Sequence, residues 1–354
     1  MADHGIGGRD GSALTIAILV TPHFNMSATA AFLDPLRVTN YLDSKPRFRW
    51  MLASAEGGPV PSSNGFTVTA EPLSALARPP DIAIVSSSWT PENHGAPPLL
   101  AALRRWARFG ASLGAIDTGA FVLAEAGLLD GYRATVHYEH MDAFAELHPK
   151  VGLVEDLYVF DRDRMTTCGG SAATDMGLQL VRSLLGAARA NAAARYIFHE
   201  RIRPAGERQL PELGEPLGAT VPAKLRAAIK LMEQHLEATV PIPEIAATVG
   251  LSSRQLERLF AEFICVSPMQ YYRDIRLDRA RGLVTQTEMP VWEIAVACGF
   301  ASPEHFSRAY RTRFGLAPRT DRQEGRVPFE FRAWPMPRHV PDAVANDQAE
   351  GGSR

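Results

Sequence analysis

Cysteine is nearly missing from this sequence: Cys168, Cys265 and Cys298 are the three in 354 residues, and they stand far apart. That spacing excludes a disulfide framework and a zinc cluster of closely spaced thiols, and it suits a reducing compartment. Long apolar runs are lacking too, since no uncharged apolar run reaches the roughly 20 residues that a membrane helix needs. The opening MADHGIGGRDG carries no basic segment followed by an apolar one, the mark of a secretory leader. A cytoplasmic protein with no membrane partner is therefore expected. Net charge, at −2, is almost absent and says nothing of a partner until the chain is divided. Residues 1–219 carry 19 basic and 23 acidic side chains, residues 220–326 carry 15 and 12, and the remainder 3 and 4. The middle excess is a weak footprint for a polyanion, so nucleic acid must be argued from motif geometry.

What is present falls into two patterns. From residue 11 to about 195, short β-branched runs alternate with helical periodicity, the sign of a parallel sheet covered by helices. The expected strands are 14–20, 48–54, 81–87, 112–117, 134–138 (ATVHY) and the runs LYVF and MTTC within 157–168; helices are expected from Ala28, Pro97, Thr118, His140, Ala173 and Ala187. Residues 201–222 are rich in Pro, Gly and charge without apolar period and read as a linker. Beyond them the chain is helical to Phe314, with breaks at Pro241, Gly250, Pro268, Pro290, Gly299 and Gly315. The expected division is an α/β, flavodoxin-like parallel-sheet domain over 11–198, a linker over 199–220, an all-α domain over 221–322 and an unstructured tail over 323–354, which has four prolines after Val327.

The all-α region repeats itself. Leu256, Arg258, Phe260 and Pro268 match Phe306, Arg308, Tyr310 and Pro318 at a shift of 50, while Ile245, Ala246 and Gly250 match Ile294, Ala295 and Gly299 at 49. Each copy, 242–264 and 291–314, has a small residue where two helices touch, a turn glycine and a capped helix start, the ingredients of a helix-turn-helix. Ser252 or Ser253 can cap the first recognition helix, with Gln255 completing a capping box, and Ser302 with Pro303 opens the second. With Leu256, Leu259, Phe260, Phe306 and Tyr310 facing inward, the outward set is Ser253, Arg254, Gln255, Glu257 and Arg258 in one helix and Glu304, His305, Ser307, Arg308 and Arg311 in the other, beside Ser302 at the cap. Arg and Gln there can pair bidentately with guanine and adenine edges, and Ser, His and the later arginines can reach phosphates. Any one of these residues can equally be a solvated helix face. Two matched units argue for double-stranded DNA read in adjacent major-groove segments about 34 Å apart.

The run WEIAVACGF-x-SPEHFSRAYRTRFG-x-AP resembles the signature of the AraC family of transcription regulators, over about residues 224–322. The resemblance implies seven helices, with a long one at about 269–285 joining the two units. Two departures stand out: Cys265 occupies a position usually held by glycine, and Thr320-Asp321-Arg322 replaces the usual tyrosine-arginine ending.

In the α/β region, GAIDTGAFVLAEAGLLDGYRATVHYEH (114–140) has a strand, a tight turn at Asp117–Gly119, and a helix beginning at Thr118 or Gly119. It resembles the nucleophile elbow of the class I glutamine-amidotransferase-like, or PfpI-like, fold, with Thr135 and His137 as the T-x-H that follows. Enzymes of that fold carry cysteine at the elbow. Here Asp117 stands there, a poor acyl-transfer nucleophile, so an amidase or protease-like activity tethered to DNA is disfavoured and no enzyme is expected. No catalytic residue, cofactor or metal is assigned, since His137, His140 and Cys168 have no predictive ligand spacing. An elbow domain fused to an AraC-type domain resembles the GlxA subfamily, which implies a pocket turned sensor, dimerisation through it and recruitment of RNA polymerase.

The elbow also points to a ligand class. Amides of Thr118 and Gly119 at a helix start can hold a carboxylate. Phe24, Trp89, Phe121 and Tyr138 are candidate faces for a cationic group, though each alone is more readily a core residue, and Asp117 or Glu139 can supply countercharge. Asn25 and His137 complete the candidate set, with His137 equally readable as structural. A zwitterion with a carboxylate and an ammonium suits both features. GAIDTGAF with RATVHYEH is similar to regulators of glycine betaine and carnitine catabolism, which favours a quaternary amine over an ordinary amino acid; a metabolite-responsive activator is expected, with an amino-acid-responsive regulator or a repressor as the alternative.

Overall fold

The computed structural model describes residues 13–43, 45–76, 78–91, 94–209 and 221–324. The chain divides into two compact units after residue 210.

The first unit is built on β1 (Leu14–Val20), α1 (Met26–Leu42), β2 (Phe48–Ser54), β3 (Gly58–Pro61), β4 (Thr67–Pro72), β5 (Ile82–Ser87), α2 (Pro97–Arg108), β6 (Ser112–Asp117), α3 (Gly119–Glu125), β7 (Arg133–Ala134), α4 (Met141–Leu147), β8 (Gly152–Leu153), β9 (Tyr158–Asp161), β10 (Arg164–Thr167), α5 (Ala172–Leu185) and α6 (Ala187–Tyr196). Eight strands form one sheet in the order β3-β4-β2-β1-β5-β6-β10-β9. The inner pairs are parallel and the two edges antiparallel. β5 and β6 are buried along their whole length, as expected of strands covered on both faces. One apolar core lies under α2, α3 and α4 around Trp106, Leu103, Phe121 and Phe144; the other lies under α1 and α5 around Phe32, Leu36 and Met176. The architecture is the expected flavodoxin-like α/β sheet.

Three local expectations fail. The antiparallel pair β3–β4 is absent from the reading because its prolines and polar residues hide the period. ATVHY is not a strand beyond Ala134: Thr135 gives its amide to the Thr166 hydroxyl at 2.9 Å and its own hydroxyl to the Asp156 carbonyl at 2.7 Å. These side-chain bonds take the place of a ladder. The start of the supposed linker is not free either. Buried Asp175 accepts hydrogen bonds from His199 Nε2 at 2.9 Å and from the Arg203 amide at 2.8 Å, and pairs with the Arg203 guanidinium at 2.6 Å. Residues 207–209 bond to the backbone of 155–157. Polar composition thus concealed a segment held by hydrogen bonds and by Ile202, which packs on the core under α1 and α5. Residues 210–220 and the tail from 325 lie outside the described residues.

The second unit has seven helices among its described residues: α7 (Ala223–Gln234), α8 (Ile242–Thr248), α9 (Ser253–Phe263), α10 (Pro268–Gln286), α11 (Val291–Ala297), α12 (Pro303–Phe314) and α13 (Pro318–Glu324). Each repeat has its own core, Ile245, Ala246, Leu256 and Phe260 in one and Ile294, Ala295, Phe306 and Tyr310 in the other. The turn glycines Gly250 and Gly299 share φ = 68°. α10 ties the second repeat down, with Arg276 donating to the Gly299 carbonyl at 2.9 Å and Asp278 holding Arg313 at 2.7 and 2.8 Å.

Candidate functional site

In the first unit the strand order reverses at β1 and β5, and a crevice outside the carboxyl ends of strands at such a point is the usual ligand position in open α/β sheets. The ends of β1, β5, β6 and β10 bring together most of the expected residues there. Asp117, the last residue of β6, has φ = 61° and is buried. Its carboxylate accepts Asn25 Nδ2 at 2.7 Å, and Ser88 and the Thr118 amide also donate to it. Asn25 doubles as the cap of α1, its Oδ1 accepting the Ala28 amide at 3.0 Å. Burial pushes the Asp117 carboxyl up to about 7, the Asn25 bond pulls it back, and the Glu139 charge pushes it further up. The helix-start amide at Thr118, expected to face a ligand carboxylate, is thus turned onto the elbow's own side chain. The Thr118 hydroxyl bonds the Ser88 carbonyl. Gly119 packs so tightly on β5 that a Cβ there would stand 2.2 Å from the Val85 carbonyl oxygen.

His137, Tyr138 and Glu139 lie at the start of a one-turn helix over Tyr138–His140. The His137 and Tyr138 rings are 4.5 Å apart, and His137 Nδ1 is 3.9 Å from Glu139 Oε2. Burial lowers the His137 pKa and raises that of Glu139. The four aromatics separate. Trp89, 41% exposed, and Tyr138, 40% exposed, remain partly open to solvent. Phe24 at 1% and Phe121 at 4% do not, and Phe121 stands edge-on to Phe144 at 4.9 Å. Both are core residues, because their ring positions serve the two sheet faces.

Sequence reading missed His23, which stacks on Trp89 at 6.3 Å, as well as Ser88 and the Cys168–Gly169 turn beside Asp117. The run Ser86-Ser87-Ser88 at a strand end was the available signal. His23, Thr90 and Asp117 all have positive φ without being glycine. Such strain gathers at ligand sites, and no composition reveals it. Cys168, the cysteine nearest the elbow, has its thiol pushed up to about 12 by burial and by Asp117, so it is no thiolate near neutral pH.

In the second unit, Ser252 is the cap of α9, and it forms the capping box with Gln255: the Gln255 amide donates to Ser252 Oγ at 3.3 Å and the Ser252 amide to Gln255 Oε1 at 2.8 Å. This engages the side-chain oxygen of Gln255, leaving Nε2 as its outward group. Ser302 Oγ caps α12 by accepting the His305 amide at 3.2 Å. Arg254, Glu257, Arg258, Glu304, His305, Arg308 and Arg311 are exposed, and Ser253 and Ser307 half-buried. Among the described residues, none forms an ion pair with the side chains of Arg254, Arg258, Arg308 or Arg311. The two helices therefore present uncommitted cations beside matched caps.

A family model described as DJ-1/PfpI family matches residues 28–183, and one described as Helix-turn-helix domain matches residues 245–324. The HTH-type transcriptional regulator CdhR of Pseudomonas aeruginosa is 38% identical over 304 residues, covering 86% of this chain and 90% of that protein. The regulator GbdR of the same organism is 37% identical over 319 residues, 90% of this chain and 87% of its own length. ArgR, also from Pseudomonas aeruginosa, is 46% identical over 230 residues, 65% of this chain and 70% of its own.

Proposed function

The chain belongs to the family of HTH-type transcriptional regulators that join a DJ-1/PfpI domain to an AraC-type helix-turn-helix domain, and from that premise we propose that it is a metabolite-responsive activator whose effector is a zwitterionic quaternary amine. Glycine betaine, carnitine or a relative would bind at the carboxyl ends of β1, β5 and β6. The observation that carries the reading is a buried carboxyl, Asp117, whose partners Asn25, Ser88 and the Thr118 amide are all neutral, with the partly exposed rings of Trp89 and Tyr138 among the candidate residues. A cation without hydrogen-bond donors is stabilised by aromatic faces and by countercharge, and Asp117 and Glu139 supply the latter.

On this reading Arg254, Arg258, Gln255 and Arg308 contact bases, and Ser253, Glu257, Ser302, Glu304, His305, Ser307 and Arg311 complete the double-stranded DNA surface. The active form is a cytoplasmic homodimer that recruits RNA polymerase. The elbow performs no acyl transfer, because Asp117 replaces the thiol and the Cys168 thiol stays protonated. Thermal unfolding of the full chain with glycine betaine, carnitine, dimethylglycine and common amino acids tests the effector, since a ligand specific to the native state raises the melting temperature. A shift with a quaternary amine that disappears in Asp117→Ala is expected. A shift only with an amino acid would replace the proposed ligand class.

A further inference from the structure

The site and the chain's exit from the first unit share hydrogen bonds. Gln209 is the last described residue before the connection to the second unit. Its Nε2 donates to the Thr135 hydroxyl and to the Val136 carbonyl, both at 2.8 Å. Thr135 and Val136 immediately precede His137, Tyr138 and Glu139. The Thr135 hydroxyl passes its proton on to the Asp156 carbonyl at 2.7 Å, and the Gln209 amide donates to the Glu155 carbonyl at 2.8 Å. The backbones of Arg208 and Asp156 pair in an isolated antiparallel bridge, and the Leu157 amide donates to the Glu207 carbonyl at 2.7 Å. Upstream, Asp175 anchors His199 and Arg203. The exit segment is thus pinned twice, and the second pin rests on the backbone that carries the site.

Among the described residues that second pin is incomplete. Gln209 Oε1 is buried without a hydrogen-bond partner among the described residues. The amide orientation is fixed, because the Val136 and Asp156 carbonyls only accept. Three hydrogen-bonded contacts of one side-chain amide, its oxygen unpaired among the described residues, make an attachment that a small shift can undo.

We propose that Gln209 is a latch linking effector binding to the DNA-binding unit: a ligand that moves Tyr138 and Glu139 shifts Thr135 and Val136, and so changes whether residues 207–209 stay bound to the first unit. The proposal rests on the effector site assigned above. It supplies what linkage requires, a bonded element whose two states the ligand distinguishes.

The test uses the full chain, a duplex enriched from a random-sequence pool by the wild-type protein, and glycine betaine as the probe. DNA affinity is measured with and without the probe for wild type, Gln209→Ala and Gln209→Glu. The glutamate keeps the size and replaces the donating amide with a carboxylate facing the Val136 carbonyl. Wild type is expected to show a 5- to 150-fold effect of the probe on DNA affinity. Both variants are expected to lose most of that factor while melting within a few degrees of wild type and still binding the probe. A factor unchanged in both variants overturns the latch. If the probe does not bind wild type, glycine betaine is not the effector, and the latch is judged on DNA affinity without probe. A change of threefold or more in both variants supports it, and equality with wild type overturns it.

Discussion

At Asp117 the backbone and the side chain are both held away from their preferred states, one in the left-handed region and the other in a buried site. The folded carboxyl titrates near 7 against an ordinary 3.8. Folding therefore retains a proton that the unfolded chain has lost, and the stability this group contributes, full below pH 4, declines as pH rises through 7. Asp117→Asn removes the buried charge and tolerates positive φ. Its melting temperature is expected to exceed that of wild type by little at pH 4 and by most at pH 8, where the gain has an upper bound on the order of 4 kcal/mol. A gain independent of pH would show that the carboxyl does not carry the penalty. The two turn glycines give a contrast at the same scale. A Cβ at Gly299 would stand 2.7 Å from the Glu237 and Leu236 carbonyl oxygens, whereas at Gly250 its nearest neighbour is the Lys224 ammonium at 3.4 Å. Both substitutions carry the strain of positive φ, about 1–2 kcal/mol, and Gly299→Ala adds a backbone clash. In urea unfolding, Gly250→Ala should lose about 1 kcal/mol and Gly299→Ala at least ~2 kcal/mol more.

Among the elements, the second unit was the most legible because each of its signals is local. The repeat, the turn glycines, the caps and the apolar faces lie within a few residues of one another, and α9 and α12 form where those signals place them. The central strands were legible for the same reason. The elbow at Asp117 was readable from strand, turn and helix in sequence, but its companions were not. Ser88, His23 and Gln209 meet it or its flank through sheet order and hydrogen bonds, which leave no periodicity. Phe121 and Phe24 show the converse, since an aromatic near a strand end can face the core or the crevice and sequence does not say which. The departure at Cys265 can now be read. It has φ = 61° after α9, the place that Gly315, at 78°, takes after α12. A glycine relieves the left-handed cost but gains freedom in the unfolded chain. Cys265→Gly is therefore expected to stabilise by about 0.5–1 kcal/mol, read as a raised urea midpoint at unchanged slope. The other departure is absorbed by α13, where buried Asp321 accepts the Tyr310 hydroxyl at 2.8 Å and pairs with Arg281 at 2.9 Å.

For the whole molecule, charge divides as the sequence divides, with residues 1–219 acidic and 220–326 modestly basic. So small an excess cannot hold DNA by net charge, and affinity has to come from cations placed at phosphates and base edges. Arg254, early in α9, and Arg311, late in α12, separate the two roles. Arg254→Ala is expected to weaken binding to the selected duplex by about 1–3 kcal/mol and to leave non-specific binding nearly unchanged. Arg311→Ala is expected to weaken selected and scrambled duplexes alike. It should also lower the slope of log affinity against log salt by about 1, the loss of one phosphate contact. Titrations of both duplexes from 50 to 200 mM salt, a range over which such contacts change affinity by orders of magnitude, distinguish the outcomes. If Arg254→Ala weakened both duplexes equally with a reduced slope, α9 would be holding the backbone, and the reading of bases would pass to α12.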